Sequence, residues 1–231
     1  VFTFMLTHQS QNRYKKEELK EKNDDLTEEL RHDPDNAILP PYYPDTPNVR
    51  VNVAALHTQI TLMDQAFQNI LEELENDGLA EDTIVFFYGD HGDGLPRGKR
   101  WLHDTGMQVP LLIRFPEKYQ HLAPAEPGDT VGELVNFVDF APTVLNLAGL
   151  KSPDYMQGRA FLGENLSREH DYLVGIRDRV DEALEMSRSV RAKRYHYIRN
   201  FLPHRPRMQF SFYSERTPIR QELRRLHAAG K

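Results

Sequence analysis

The chain contains no cysteine, which excludes any disulfide among its 231 residues and leaves the redox compartment unreported. It also lacks an apolar run approaching the roughly 20 residues that a bilayer-spanning helix needs, so no membrane span is expected. Positive charge is not in excess: 29 Lys and Arg stand against 35 Asp and Glu, a formal net charge of −6. That balance does not favour nucleic acid as a partner, and its mild acidity suits a soluble, globular chain. No internal repeat or low-complexity tract is present. A length of 231 residues accommodates one large domain, or one with a small appendage.

What is present is most concentrated between Thr83 and Gly92, where an apolar, β-branched and aromatic run ends abruptly in Asp90, His91 and Gly92. The length and composition are those of a central parallel strand, and ligands in open α/β sheets collect at the carboxyl ends of such strands. A carboxylate oxygen prefers a hard cation, and a neutral imidazole can join it or hydrogen-bond the group that the cation activates. An ordinary strand-turn would use the same Asp and Gly.

A glycine-rich polar loop follows, from Asp93 to Gly106, before a second apolar run at Val109–Phe115. The loop carries Lys99, Arg100 and His103. Cations converging with a divalent metal suit a sulfate or phosphate group, whose oxygens gain negative charge in the transition state. The alternative is a solvated basic loop.

The remaining layout is α/β. A polar, charged stretch from Gln9 to Asp35 has two segments, Glu17–Glu21 and Leu26–Leu30, suited to short surface helices in an insertion over the site. Pro40, Pro41, Pro44 and Pro47 predict an extended linker. Val53, Leu56, Ile60, Met63, Phe67, Ile70, Leu71 and Leu74 recur at three and four, predicting a helix over 51–76 whose apolar face lies on a sheet and which Asp77 and Gly78 close. A strand is expected at Leu134–Val138, and a helix at Thr143–Leu147 begun by Asp139 and Pro142. Beyond Asp154 the pattern changes to short strands at Tyr172–Arg177, Met186–Val190 and Arg194–Arg199, then a helix at Thr217–Ala229. Asn165-Leu166-Ser167 is a glycosylation triplet, a pattern common by chance.

Several of these segments resemble the type I sulfatases of the alkaline phosphatase superfamily. The resemblance rests on Asp90-His91-Gly92, Gly98-Lys99 and Thr105–Pro110. It extends to Val1–His8, similar to the family's strand ending in an active-site histidine, to the Leu39–Pro47 segment before a long helix, and to the Val138–Leu145 strand-to-helix step. The chain resembles N-sulfoglucosamine sulfohydrolase-like and arylsulfatase-like members. The implied fold is an α/β, alkaline-phosphatase-like mixed or parallel sheet sandwiched by helices, with a small C-terminal antiparallel sheet plus terminal helix. The implied division is 1–153 for the C-terminal part of the catalytic domain and 154–231 for a small α+β subdomain.

The resemblance also implies roles. Asp90 and His91 would hold Ca²⁺, or alternatively Mg²⁺. Lys99 would neutralise the sulfate, and His8 would serve the departing oxygen or nitrogen. His103 either reaches substrate or caps its turn. Arg177 and Asp178, with Arg179, Asp181 and Glu182 after the Tyr172 strand, either recognise a sugar or carboxylate or form a solvated charge network. His196, His204 and His227 read as surface or packing residues. The implied partner is a sulfated small molecule or glycan, in a periplasmic, secreted or lysosomal setting. The readings left open are a sulfuric ester or sulfamate hydrolase, a phosphonate or phosphate monoester hydrolase of the same superfamily, and a non-catalytic remnant that binds an anion or a protein.

The chain departs from the family pattern at several points. His103-Asp104 stands where Tyr-Glu is usual, and His91 where Asn is frequent. The Cys/Ser-x-Pro/Ala-x-Arg motif that yields the formylglycine nucleophile is missing, as is the early Asp-Asp metal pair. Val1 is not an initiator Met and begins inside an expected strand, so the chain reads as the C-terminal piece of a sulfatase or as a truncated gene product. Any signal peptide would precede Val1. Such a piece is expected to be inactive alone, lacking an attacking atom, and unstable through exposed strand edges.

Overall fold

The structure, a computed structural model, describes residues 26–231 together with residues 20, 21, 23 and 24. The strand expected at Val1–Leu6 and the candidate His8 lie outside the described residues.

The first long element is helix α1, Pro47–Asn76. It starts one turn earlier than its apolar periodicity predicts. Thr46 caps it by accepting from the Val49 N–H, and Pro47 takes the first helical position, where no N–H is needed. Val49, Val51, Val53, Ala54 and Ala55 are all buried, so this half of α1 is enclosed on more than one side. Further along, Phe67 packs on Phe87 with ring centroids 4.8 Å apart, which is the predicted seating of helix on sheet. Ile60 departs from the stripe, with 47% of its surface exposed.

Strand β1, Val85–Tyr88, pairs with strand β2, Leu111–Arg114, in the register Val85 to Arg114 and Tyr88 to Leu111. The pairing is antiparallel, which corrects the expected parallel neighbourhood for this strand. Between the two strands lie only the polar loop and one helical turn, α2, Asp104–Met107. A parallel pair needs a crossover of a dozen or more residues, usually helical, to carry the chain back, whereas this loop folds on itself and returns the chain directly.

The strand expected at Leu134–Val138 does not form. Asp139 bends back so that its Oδ2 accepts from the Asn136 N–H at 2.8 Å, a local side-chain bond that competes with a sheet ladder and produces a 3-10 turn at Phe137–Asp139. Helix α3, Phe140–Leu147, follows directly. Its buried polar residues Thr143 and Asn146 share a face with Asp139, and this face binds the returning chain. The Phe161 N–H donates to Thr143 Oγ1 at 3.1 Å, and Asn146 Nδ2 donates to the Leu162 carbonyl at 2.6 Å.

The C-terminal strands follow the prediction, the first two running longer and the third starting two residues later. β3, Leu173–Val180, β4, Ala183–Arg191, and β5, His196–Asn200, form an antiparallel meander in the order β3-β4-β5. A short helix α4, Phe212–Glu215, precedes the terminal helix α5, Pro218–Ala228. Ile219 of α5 is fully buried against Tyr43, Val49, Val53 and Leu95, so a single apolar cluster joins α1, the polar loop and the terminal helix. Burying such aliphatic side chains contributes about 1.5–3 kcal/mol each.

The charged segment before the prolines is docked, not merely spread on the surface. Leu26 is buried, Thr58 of α1 donates to Asn23 Oδ1 at 2.8 Å, and His32 Nε2 lies 2.8 Å from Thr61 Oγ1. Its described residues 20, 21, 23 and 24 are α-helical, and 3-10 turns follow at Glu28–Leu30 and Pro34–Asn36.

Candidate active site

The loop from Gly89 to Gln108 is wound tightly enough that glycine is required within it. A Cβ at Gly92 would collide with the Thr105 carbonyl, and the Gly92 N–H bonds the Gly106 carbonyl at 3.1 Å. This closure brings the start of the loop, carrying Asp90 and His91, against its end. Tyr43 anchors the middle by donating from its hydroxyl to the Pro96 carbonyl at 2.6 Å. Lys99 is fixed through its backbone, whose N–H reaches the Asp93 carbonyl at 2.6 Å. Asp93 is itself largely withdrawn from water, which pushes its carboxyl upward, opposed by the Leu95 N–H.

Asp90 projects into solvent with 84% of its side chain exposed, and its Oδ2 lies 3.4 Å from His91 Nε2. His91 Nδ1 lies 2.8 Å from the Gly92 carbonyl, which can only accept. Nδ1 therefore carries the proton in the neutral ring, and the Nε2 lone pair is left beside the carboxylate. This oxygen-and-nitrogen donor pair fits a divalent cation. Among the described residues no group of three or more His, Cys, Asp or Glu side chains gathers to hold a metal, so the pair would form part of a larger set.

Lys99 faces a different neighbourhood. With Arg100, Trp101, Arg177, Arg207 and Arg220 it lines a cavity of about 60 Å³ between the loop, the three-stranded sheet and the start of α5. Its Nζ stands 5.9 Å from the centre of the Tyr213 ring, and the Arg100 guanidinium stacks at 4.3 Å on the same ring. Arg177 lies with its guanidinium carbon 3.9 Å over the Trp101 ring. Burial pushes the Arg177 pKa down, Glu185 opposes this, and Arg100 and Arg220 add to it.

Of the sequence candidates, Lys99 and Arg177 meet in one cavity, while Asp90 and His91 adjoin each other outside its lining. Arg177 and Asp178 are part of β3, not of a loop after it, so alternation sends them to opposite faces. Asp178 pairs at 2.6 Å with Arg188 on the exposed side. His103 caps α2 through its carbonyl, which accepts from Gly106 and Met107, with no side-chain cap bond. Its ring stacks 6.0 Å from Trp101, and burial, with Arg97, Arg207, His196 and Arg177 nearby, holds its pKa below the usual histidine range. His196 packs against the loop, its Nδ1 2.8 Å from Asp104 Oδ1.

Sequence reasoning did not single out Trp101, Arg207 or Arg220 as site residues. The available signal was the period of two in β3, where Gly175 and Arg177 occupy the buried face and Val174 and Ile176 the exposed one. An arginine in register with a glycine marks a face covered by something other than an apolar core. The cover here is the loop: a Cβ at Gly175 would collide with Ser189 Oγ and crowd Leu102 and Met107.

Comparison with known proteins places this geometry in context. An ulvan-active sulfatase of Formosa agariphila is 46% identical over 193 residues, covering 84% of this chain and 31% of that protein. The N-sulphoglucosamine sulphohydrolase of Homo sapiens is 33% identical over 124 residues, covering 54% of this chain and 24% of that protein. The chain thus spans less than a third of the length of these relatives. A protein solved in complex with its substrate D-glucosamine-2-N,6-O-disulfate shares the fold, with a TM-score of 0.50 and 17% identity over 79% of this chain and 40% of that one. The sulfatase family profile matches residues 1–150, with the Asp90 and His91 strand end and the loop through Lys99 inside the match, and the chain belongs to the sulfatase family.

Proposed function

We propose that the protein is a metal-dependent sulfuric ester or sulfamate hydrolase acting on a sulfated sugar, and that these residues supply one wall of its active site. The observation that carries the reading is the pairing of Asp90 with the His91 Nε2 lone pair at the end of β1, on the loop that also holds Lys99. Family membership and the sulfatase names of its relatives support the reaction class. The sulfated glucosamine bound by the structural neighbour, and the ulvan named for the Formosa protein, support a sulfated saccharide as the substrate class.

A Ca²⁺ ion, or alternatively Mg²⁺, held in part by Asp90 and His91 would polarise a sulfate oxygen and stabilise charge developing on it. The chain's own residues would do the rest of their share electrostatically. Lys99 places an ammonium for a non-bridging sulfate oxygen, and His91 Nδ1–H, bonded to Gly92, keeps Nε2 unprotonated for its ligand role. His8, outside the described residues, would serve the departing oxygen or nitrogen. The attacking group is not among these 231 residues, which lack both cysteine and the serine form of the motif. Turnover is therefore expected of the full-length product only.

The test is sulfate release by the full-length product from O- and N-sulfated glucosamine and sulfated uronate saccharides. Asp90→Ala and Lys99→Ala should each lower kcat/KM at least a hundredfold, the loss typical of one electrostatic partner in the transition state. Release of phosphate from phosphonate or phosphate monoesters without sulfate release would assign the other hydrolase class, and no turnover of either would leave a binding remnant.

A further inference from the structure

The cavity beneath Trp101 holds more positive charge than its surroundings neutralise. Arg100 pairs with Asp181, Arg220 with Glu215 at 2.8 Å, and Arg177 with Glu185 at 3.0 Å. Lys99 and Arg207 have no carboxylate within ion-pair distance among the described residues, which leaves two cations of five uncompensated. At the back of the cavity Arg177 is 9% exposed, yet its Nε finds no hydrogen-bond acceptor, and its NH1, although close to Glu185, makes no bond of proper geometry there. Buried guanidinium donors left unsatisfied lose their hydration with nothing in return. The Trp101 face fixes the plane of the fork at 3.9 Å and cannot satisfy its in-plane N–H groups. A planar fork held on an indole and short of acceptors is matched by an oxyanion, which Arg binds with directed N–H bonds.

We propose that this cavity is an oxyanion subsite, taking the carboxylate or sulfate of a sugar unit adjoining the one that is hydrolysed, with Arg177 as the buried anchor and Arg207 at the mouth. Its role in choosing polyanionic saccharides rests on the hydrolase reading above, whereas its anion binding does not. The groups that build it come from both parts of the chain: Trp101 from the loop, Arg177 from β3, Arg207 and Arg220 from the segment leading into and through α5. Closing the loop onto the sheet therefore builds the subsite and the Asp90 and His91 strand end at once.

The experiment is a titration of the full-length product with sodium glucuronate and with sodium sulfate, against sodium chloride at matched ionic strength. Heat and Trp101 fluorescence are both read, the fluorescence as the difference from Trp101→Phe. Saturable binding above chloride is expected, weakened at least fivefold in Arg207→Ala, an exposed position whose loss leaves the fold intact, and abolished in Arg177→Met. Saturation by glucuronate alone identifies a carboxylate ligand and by sulfate alone a sulfate ligand, and both support the subsite. Absence of saturation by either salt, or saturation unchanged in Arg207→Ala, overturns it. Should Arg177→Met fail to fold, Arg207→Ala decides alone. Binding without any sulfate release sinks the hydrolase reading and leaves the subsite standing, while sulfate release without Arg207-dependent binding does the reverse.

Discussion

His170 Nε2 lies 2.9 Å from Oδ2 of Asp139, a carboxylate only 1% exposed that also accepts the Asn136 and Arg159 N–H groups at 2.8 Å each. One side chain thus ties the entry of α3, the returning strand of chain and the histidine together. Replacing it with Ala strands two backbone donors and the imidazole at once. Asp139→Ala is expected to cost about 3–5 kcal/mol, the range for breaking a buried hydrogen-bonded pair, with Asp139→Asn losing less. Denaturant unfolding of the full-length product checks this, and a loss under about 1 kcal/mol for Asp139→Ala would refute the role.

That residue also shows where the sequence could and could not be read. Periodicity placed α1, α3, α5 and the three C-terminal strands, because each buries a patterned face. It failed at Leu134–Val138, where the apolar pattern suits a strand but the carboxylate of Asp139, three residues past Asn136, captures the Asn136 N–H. It also failed on the partner of β1, since strand direction is set by how the intervening loop folds, not by the strand's composition. Of the candidate site residues, Asp90, His91 and Lys99 stand out in the sequence by residue type and spacing. Trp101, Arg207 and Arg220 do not, because their convergence depends on the docking of the loop onto β3, more than seventy residues away in sequence.

Acid should weaken the attachment of α5. Glu222, 5% exposed, receives Arg225 at 2.8 Å and Asn48 of α1 at 3.2 Å, and the Arg225 hydrogen bond leads in lowering its pKa from 4.5 to about 2. A carboxyl with a depressed folded-state pKa stabilises the fold above its unfolded pKa, and that stability is lost as pH falls through the folded value. The loss should therefore run from about pH 4.5 down to about pH 2. Glu222→Gln should flatten this limb of the profile, lowering stability at pH 7 by about 1–2 kcal/mol with little difference from the parent at pH 2. Identical pH profiles of Tm for both proteins would rule the coupling out.

Loop closure at Gly92 should be intolerant of any side chain. The Thr105 carbonyl occupies the space a Cβ would need, and both neighbours are backbone that cannot rotate aside. Gly92→Ala is expected to lower stability by about 2–3 kcal/mol through backbone displacement. It should reduce kcat/KM far more than Gly132→Ala, whose Cβ would meet nothing within 4 Å. Equal behaviour of the two variants would show that the strand end and Lys99 do not depend on this contact.

The cation can be tested without turnover. Asp90 and His91 offer a carboxylate and an imidazole lone pair on adjacent residues, and a carboxylate 84% exposed has no structural partner to satisfy other than the histidine edge at 3.4 Å. If the pair ligates Ca²⁺, removing the ion leaves two donors facing each other with nothing between, and the folded state loses the binding free energy that only it can collect. Chelation should then lower the Tm of the full-length product by several degrees, with Ca²⁺ restoring it at lower concentration than Mg²⁺. Asp90→Ala and His91→Ala should each blunt that shift, because each removes one ligand from the set. Asp178→Ala, on the exposed side of β3 and paired with Arg188, should leave the shift unchanged. A chelation-sensitive Tm that survives Asp90→Ala would move the metal elsewhere, and a Tm insensitive to chelation in the parent would remove it from the mechanism.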